Sequence, residues 1–245
     1  MQILKVIACL LDYPDESLAE YRTDIEAIIN GSALYGEIDA ELRDRLLGFI
    51  DKRLQTDLME CQSEYDGLFE RGRSVALWLF EHVHGESRDR GQAMVDLIAN
   101  YRQAGLEISQ HELPDYLPLF LEFLSTQGRD NAVSWLLDVE HILALLQCRL
   151  EKRGSDYALL FELLLSIAGS RLSLDEIRQR IADEKPDHSK QAIDKEWEEE
   201  EVTFGADSLD KSCSGTQRKP SEAQRQDIDV PLHWVDFETD KRAQS

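Results

Sequence analysis

The sequence predicts an all-α fold in which residues 1–204 form a single helical-bundle domain and residues 205–245 form a flexible, acidic tail. Two observations lead to this prediction. In nearly every segment before residue 204, apolar residues recur at three- and four-residue steps, which is the spacing of one buried helix face. No segment alternates apolar and polar residues as a half-buried strand does, and no internal repeat of fixed period is present.

The first helix with a clear start follows Asp39. An aspartate at this position accepts a hydrogen bond from a free backbone N–H group of the first helical turn, which makes it a predicted N-cap. The apolar residues of this predicted helix are Leu42, Leu46, Phe49 and Ile50.

A long apolar stripe predicts a second helix, from Tyr65 to Val83, which Gly85 ends. Most of the stripe is predicted to be core, whereas Trp78 lies on the opposite side, where an exposed aromatic ring suits a peptide groove. Ser87 is a candidate N-cap for the next helix. The stripe consists of Tyr65, Leu68, Phe69, Gly72, Ala76, Leu79, Phe80 and Val83.

Residues 115–124 predict a buried central helix, since Glu122 is nearly the only polar side chain among apolar ones. Pro118 is tolerated only in the first helical turn, so residues 113–117 are expected to form the loop that leads into this helix.

Three later helices are predicted from their cap residues. Asp130 and Ser155 are candidate N-caps, and Ser173 forms a capping box with Glu176 three residues later. Pro186 is expected to end the last of these helices. The glycines at predicted helix ends are Gly128, Gly154 and Gly169.

The charge balance excludes several classes of partner. The chain has 27 basic and 49 acidic residues and a formal net charge of −22, which repels nucleic acid phosphates and anionic membranes and favours a basic partner.

No apolar run reaches the roughly 18 to 20 residues of a membrane span. The N-terminus lacks the basic start of a cleaved secretory signal. The cysteines are scattered singly, which is typical of reduced thiols in a cytoplasmic protein.

Titratable residues are concentrated around Gly85: they are Glu81, His82, His84, Glu86, Arg88, Asp89 and Arg90. From spacing alone, a solvated ion-pair network explains them, each exposed pair contributing at most about 1 kcal/mol. Two histidines two residues apart point about 200° from each other on a helix, so we predict no metal site. We expect His82 and His84 to be partly exposed at a helix end, where the helix dipole favours them. No hydrolase elbow, phosphate-binding loop or dinucleotide fingerprint occurs, so we also predict no catalytic residues.

Five segments, in order along the chain, carry a resemblance to a known family. The chain resembles the NarJ family, the assembly chaperones of respiratory nitrate reductase, to which the TorD group is related. The segments are LLDYPDE at Leu10–Glu16, YDGLFERGR at Tyr65–Arg73, LFEHVHGESRDRGQAMVDL at Leu79–Leu97, ELPDYLPLFLEFL at Glu112–Leu124 and WEEEEVTF at Trp197–Phe204.

The resemblance implies a helical fold of the NarJ and TorD type and a system-specific cytoplasmic chaperone without enzymatic activity. Such a chaperone is expected to bind the apo catalytic (alpha) subunit of respiratory nitrate reductase through that subunit's N-terminal segment. It would assist molybdenum cofactor insertion before membrane attachment and be absent from the finished enzyme. It would hold no cofactor permanently, because the molybdenum cofactor is handled in the client.

The resemblance also implies where a client peptide binds. The expected client-binding residues are Tyr65, Phe69, Arg71, Trp78, Phe80, Glu81, His82, His84, Glu86, Arg88, Asp89, Leu113, Pro114, Asp115 and Tyr116. An amphipathic client helix would place its apolar side near Trp78 and Phe80. Its basic residues would lie near Glu81, Glu86 and Asp89.

One alternative stays open, in which the chain itself carries the molybdenum cofactor or a metal centre and delivers it. The scattered cysteines and the scarcity of a basic pocket argue against tight binding of a phosphate-rich cofactor. A small basic pocket could form from Arg71, Arg73, Arg88 and Arg90. A chaperone for a different molybdoenzyme is disfavoured by the match of residues 81–91.

Two features near the C-terminus have alternative interpretations. The acidic run around Trp197, residues 196–201, is either a solvated helix face or a rim that attracts a basic peptide. In the tail, the apolar residues 230–235 can dock on the domain or bind a partner, although an idle tail agrees better with its polar composition.

Overall fold

Eleven α-helices and no β-strand occur within residues 1–83, 88–108, 112–184 and 187, the part of the chain that the computed structural model describes. The prediction of an all-α fold is therefore confirmed. All of these residues belong to one compact unit, Met1–Glu199. The predicted tail, the acidic run around Trp197, and the predicted helix boundaries Gly85, Ser87 and Pro186 lie outside the described residues.

The helices are short and follow one another closely along the chain. In chain order they are α1 (Gln2–Leu11), α2 (Ser17–Glu20), α3 (Arg22–Leu34), α4 (Ala40–Gln55), α5 (Leu58–Tyr65), α6 (Arg88–Gln103), α7 (Leu117–Thr126), α8 (Arg129–Asp138), α9 (Glu140–Lys152), α10 (Ala158–Ala168) and α11 (Leu174–Arg180). None of these described helices is long and apolar enough to cross a bilayer.

Two helix pairs form the centre of the fold, because α1 packs against α7 and α9 packs against α10. Apart from Glu162 and Ser166, every residue of α10 is buried, since α4, α8 and α9 surround this helix. Helix α1 also contacts α3 and α10, which joins the two pairs into one hydrophobic core. Burial of this apolar surface is the main stabilising contribution to the fold.

Predicted helix boundaries are confirmed where they depend on neighbouring residues. The Asp39 carboxylate accepts a hydrogen bond from the backbone N–H of Leu42 at 2.7 Å, as expected for the N-cap of α4. Gly169 ends α10 with a φ of 66°, in the left-handed region that favours glycine. Pro118 lies in the first turn of α7, whose residues are mostly buried, as predicted for the central helix.

The predicted helix from Tyr65 to Val83 is wrong. Helix α5 ends at Tyr65, a π-helical turn follows at Asp66–Glu70, and residues 71–83, called the central segment below, contain only two 3₁₀ turns. Three consecutive residues of this segment are buried, which one helix face cannot achieve because successive side chains differ by about 100°. These residues are Val75, Ala76 and Leu77. Four of the eight residues of the apolar stripe are buried, namely Tyr65, Phe69, Ala76 and Leu79. Leu68 and Phe80 are partly buried and pack against the core, whereas Val83 is exposed.

Helices α8 and α10 begin away from their predicted caps. Gly128, and not Asp130, occupies the N-cap position of α8. Asp130 lies in the first turn, where its charge still favours the positive end of the helix dipole. Ser155 accepts a hydrogen bond from the Tyr157 N–H at 3.3 Å in the turn before α10. Ser173 occupies the N-cap position of α11 as predicted, but its side chain makes no capping hydrogen bond.

Candidate functional site

Trp78 and Tyr116 face each other in an isolated antiparallel β-bridge. The backbone N–H of Leu79 donates to the carbonyl of Asp115 at 2.9 Å on one side of the bridge, and a second backbone bond of 2.8 Å lies on the other side. The bridge therefore joins the central segment to the loop before α7. These are two parts of the predicted client-binding site that lie far apart in sequence.

The side chains at the bridge form a partly exposed apolar surface, which we call the aromatic corner. The ring centroids of Trp78 and Tyr116 are 6.1 Å apart, and both side chains are partly exposed. Phe80 is also partly exposed, and Val83 and Leu113 are 48% and 43% exposed. Exposed apolar residues that are close together are more typical of a binding surface than single ones are.

The carboxyl group of Asp115 holds the backbone of the bridge in place. It is fully buried, and its Oδ2 accepts a hydrogen bond from the Phe80 N–H at 3.2 Å. Nη2 of Arg90, on α6, lies 3.8 Å from the same oxygen. Burial raises the pKa of Asp115, while the hydrogen bond from Phe80 and the charge of Arg90 act in the opposite direction.

A chain of hydroxyl contacts connects the aromatic corner to the end of α1. The Tyr116 hydroxyl donates to Oδ1 of Asp12 at 3.1 Å and lies 3.2 Å from the Tyr65 hydroxyl. The Tyr65 hydroxyl donates to the carbonyl of Leu11 at 3.0 Å. Burial raises the pKa of both phenols, so they stay protonated and keep these contacts at neutral pH.

Two arginines at the end of α9, called the arginine clamp, hold the start of the central segment. Nη1 of Arg149 donates to the carbonyl of Ser74 at 2.8 Å, and the same guanidinium pairs with Glu184 at 2.7 Å. Nη2 of Arg153 donates to Oγ of Ser74 and to Oδ1 of Asp187, both at 2.6 Å. The backbone N–H of Ser74 donates to Oδ2 of Asp187 at 2.8 Å, which completes the network.

His82 was predicted to be a partly exposed histidine at a helix end, favoured by the helix dipole. It instead follows the 3₁₀ turn Leu79–Glu81, and its Nε2 lies 2.8 Å from the carbonyl of Ala76. Because a carbonyl only accepts, Nε2 must carry the proton. Burial lowers the pKa of His82, so the imidazole is neutral at pH 7 and fixes the turn instead of presenting a charge.

A cavity of about 620 Å³ adjoins the central segment and contains groups of both charges. Its lining residues are Arg73, Ser74, Glu81, His82, Arg90, Leu145, Arg149 and Asp187. Arg90 faces Asp115 and Arg149 pairs with Glu184, so acidic neighbours offset these cations. In the part of the chain that the structure describes, no three His, Cys, Asp or Glu side chains are grouped as metal ligands.

The structure brings together about half of the predicted client-binding residues. Those partly exposed at or near the aromatic corner are Trp78, Phe80, Glu81, His82 and Tyr116. Those more fully exposed are Arg71 and Leu113. Those buried, which a peptide on the surface cannot reach, are Tyr65, Phe69, Pro114 and Asp115. Outside the described residues are His84 and Glu86, together with the side chains of Arg88 and Asp89.

Comparison with known proteins shows the family of this chain. Residues 33–162 match the family described as nitrate reductase delta subunit. The nitrate reductase molybdenum cofactor assembly chaperone NarJ of Escherichia coli (strain K12) is 47% identical over 211 residues, which is 86% of each chain. The chain belongs to the NarJ family. The resemblance carried by the sequence segments is thereby confirmed.

Other NarJ-family relatives are similar over most of their length. The probable nitrate reductase molybdenum cofactor assembly chaperone NarW of Escherichia coli (strain K12) is 44% identical over 237 residues, 97% of each chain. The probable NarJ chaperone of Bacillus subtilis (strain 168) is 33% identical over 161 residues, 65% of this chain and 84% of that relative. The residues matched by the NarJ family include both the central segment and the loop before α7.

Three parts of the site in this NarJ-family chain were not predicted from the sequence. The β-bridge gives no local signal, because each side of it is a single extended residue. Asp12 lies in the segment LLDYPDE, which carried the resemblance but received no role. Arg149 and Arg153 are four residues apart, which places them on the same side of α9 and its following turn, but their targets are remote in sequence.

Proposed function

We propose that this chain is a system-specific cytoplasmic chaperone, and not an enzyme, that binds the apo catalytic (alpha) subunit of respiratory nitrate reductase. It recognises the N-terminal segment of that subunit, assists insertion of the molybdenum cofactor into the client, and delays membrane attachment until insertion is complete. It is absent from the finished enzyme and binds no cofactor permanently. The names of its relatives support the general role in nitrate reductase molybdenum cofactor assembly.

The observation that carries the client-binding proposal is the β-bridge between Trp78 and Tyr116. It holds two partly exposed rings on a backbone that the buried Asp115 fixes. Val83, which follows Trp78 in the sequence, and Leu113, which precedes Tyr116, are both exposed. Large aromatic side chains that are fixed before binding lose little conformational entropy, which suits them to the apolar face of an amphipathic helix.

The charge of the chain favours a client segment with basic residues. The net charge is −22, and Glu81 is partly exposed next to the aromatic corner. Exposed charges of this kind raise the rate of association more than they raise the affinity. Dissociation of the client from the chaperone needs no additional mechanism, because a folded client buries the same segment in its own structure and the chaperone can no longer bind it.

A second function, direct delivery of the molybdenum cofactor, has one observation in its favour. Arg73, Arg90 and Arg149 line the same cavity, where an anionic group could bind. Acidic neighbours of Arg90 and Arg149 offset this charge, so we favour client binding. Tryptophan fluorescence of the chain with purified cofactor and no client separates the two functions, because only a carrier shows saturable quenching.

The client-binding proposal is tested by calorimetry with a peptide covering the N-terminal segment of the catalytic subunit. Trp78→Ala is expected to weaken binding by about tenfold or more, as for other central aromatic contacts. Tyr35→Ala is the matched control, because Tyr35 is an aromatic residue that is 79% exposed and does not line the cavity beside the central segment. Equal affinity of the Trp78→Ala variant and the wild type would exclude the aromatic corner as the contact surface.

A further inference from the structure

A second cavity, of about 500 Å³, lies between the connection from α1 to α2 and the helices α4 and α5. We call it the α2 cavity. Its interior is largely apolar and includes Leu10, Leu18, Phe49, Leu54 and Tyr157. Its size lies within the range of about 300 to 1,000 Å³ that is typical of ligand-binding pockets. None of the residues predicted to bind a client lines it.

The mouth of the α2 cavity is strongly acidic. Its exposed acidic residues are Asp12, Asp15, Glu16 and Glu20. Arg53 is the one cation among these described lining residues, and its side chain is only 5% exposed. Its guanidinium donates to Asp156 at 2.6 Å and lies over the ring of Phe49 at 4.4 Å. Arg53 is therefore paired inside the protein and does not offset the acidic residues at the cavity mouth.

The α2 cavity and the aromatic corner are adjacent parts of one surface. Asp12 lines the cavity and accepts the hydrogen bond from the Tyr116 hydroxyl, whose ring contacts Trp78. Tyr13 lines the same cavity, is 47% exposed and packs edge-on against Tyr65 with ring centroids 5.5 Å apart. A peptide that lies across Trp78 and Tyr116 thus reaches the acidic mouth of the cavity.

From this arrangement we propose that the α2 cavity is a second contact site for the client segment, and that it receives an apolar side chain adjacent to a basic residue. The inference rests on the proposed function, since its occupant is the same basic amphipathic peptide. The apolar interior selects the first side chain, and the acidic mouth selects the second. Two contact sites also explain selectivity better than the aromatic corner alone, because a peptide must carry side chains that fit both sites at the spacing between them.

Charge argues against the two other possible occupants. The chain's own apolar stretch, residues 230–235, is flanked by Asp229 and Asp236, which the acidic mouth repels. A second copy of a chain with a net charge of −22 is repelled in the same way.

Cys9 provides a direct probe, because it is exposed and lines the α2 cavity, whereas Cys61 and Cys148 are buried. Cys213, outside the described residues, is replaced by serine in the full-length chain. The rate of maleimide alkylation of Cys9 is then measured with and without a peptide covering the N-terminal segment of the catalytic subunit. Binding of the same peptide is measured in parallel by calorimetry. A peptide in the cavity is expected to slow alkylation at least about tenfold at saturation.

The two measurements distinguish failure of this inference from failure of the proposed function. Binding with protection of Cys9 supports both. Binding with unchanged alkylation overturns the cavity inference and leaves client recognition intact, whereas absence of binding overturns both. Cys9 that is protected without peptide, and becomes reactive on deletion of residues 230–235 or on dilution, would identify the tail or a second copy as the occupant and overturn the inference.

Charge reversal gives an independent test. Asp15→Lys with Glu16→Lys is expected to weaken peptide binding by about tenfold and to reduce its salt dependence. The matched control is Asp175→Lys with Glu176→Lys, because these acidic residues are also exposed and consecutive at the start of a helix but do not line the cavity. An equal effect of both pairs would attribute the loss to net charge alone and contradict the cavity site.

Discussion

The hydroxyl of Tyr116 donates a hydrogen bond to the carboxylate of Asp12 at 3.1 Å, although the two residues are 104 positions apart in sequence. The bond joins the loop before α7 to the chain that leaves α1. The Tyr65 hydroxyl, 3.2 Å from that of Tyr116, adds α5 to the same contact. Three elements that are separate in sequence thus hold one another at the aromatic corner.

Removal of this hydroxyl should cost stability. Tyr116→Phe keeps the ring but removes its bond to Asp12, and we expect the free energy of unfolding to fall by about 0.5 to 1.5 kcal/mol. Urea denaturation measures the change. Tyr35→Phe is the control, because Tyr35 is 79% exposed and its hydroxyl should contribute little. A loss no larger than that of the control would show that the contact between Tyr116 and Asp12 does not stabilise the fold.

Asp115 should lower stability as the pH rises. Burial raises its pKa in the folded protein above its value in the unfolded chain, so the folded state binds the proton more tightly. The unfavourable effect of its ionisation begins near the unfolded pKa, about 4, and is complete above the raised folded pKa. Asp115→Asn keeps an acceptor for the Phe80 N–H but cannot ionise.

The variant Asp115→Asn should therefore gain stability relative to the wild type as the pH rises above about 4. Urea denaturation of both proteins at several pH values measures this difference. Asp115→Leu, which removes the acceptor as well, should be less stable than Asp115→Asn by about 1 to 3 kcal/mol. A difference between wild type and Asp115→Asn that does not change with pH would contradict the buried ionisation.

Asp156 should have the opposite effect on stability, which it should increase as the pH rises. Burial acts to raise its pKa, but hydrogen bonds from Arg53 and Lys52 lower it, and the net direction is downward. Its contribution to stability is complete above the unfolded pKa, about 4, and is lost as the pH falls through the folded pKa. Asp156→Asn should cost about 2 kcal/mol at neutral pH, because it leaves the buried Arg53 poorly paired.

Below about pH 4, the wild type should lose stability more steeply than Asp156→Asn, so the stabilities of the two proteins converge. Acid titration of both proteins, followed by circular dichroism, measures how their stability changes with pH. Parallel curves would show that the ion pair between Arg53 and Asp156 makes no pH-dependent contribution.

The arginine clamp should control local opening of the central segment. Arg153→Ala removes the side-chain bonds to Ser74 and Asp187, and we expect the amide of Ser74 to exchange its hydrogen about tenfold faster. Exchange in α10 should change much less, because that helix is enclosed by the core. Arg43→Ala is the control, since Arg43 pairs with the neighbouring Asp44 at the surface. Equal exchange at Ser74 in both variants would contradict the clamp.

Features of the fold that depend on neighbouring residues could be predicted from the sequence. The Asp39 cap of α4 and the Gly169 end of α10 need only side chains within one turn, so their signals are local. The buried α7 was predictable because its apolar residues cover nearly all its faces.

The central segment could not be predicted, because bonds to the loop before α7 determine its path. Its apolar residues repeat at helical spacing, yet Leu77 and Leu79 are fixed by pairing with an extended partner. The family resemblance placed Tyr65 and Phe69 in the client-binding set, although the structure buries both. Periodicity shows that residues share a face, but only tertiary packing decides whether another element covers it.

Recognition of the client by this chain is best tested by calorimetric titration of the full-length chain with the N-terminal peptide of its cognate nitrate reductase catalytic subunit. A leader peptide from an unrelated molybdoenzyme is titrated as the control. We expect saturable binding of the first peptide and at least about tenfold weaker binding of the second. Equal binding of both peptides, or binding of neither, would contradict a chaperone that recognises this client through its N-terminal segment.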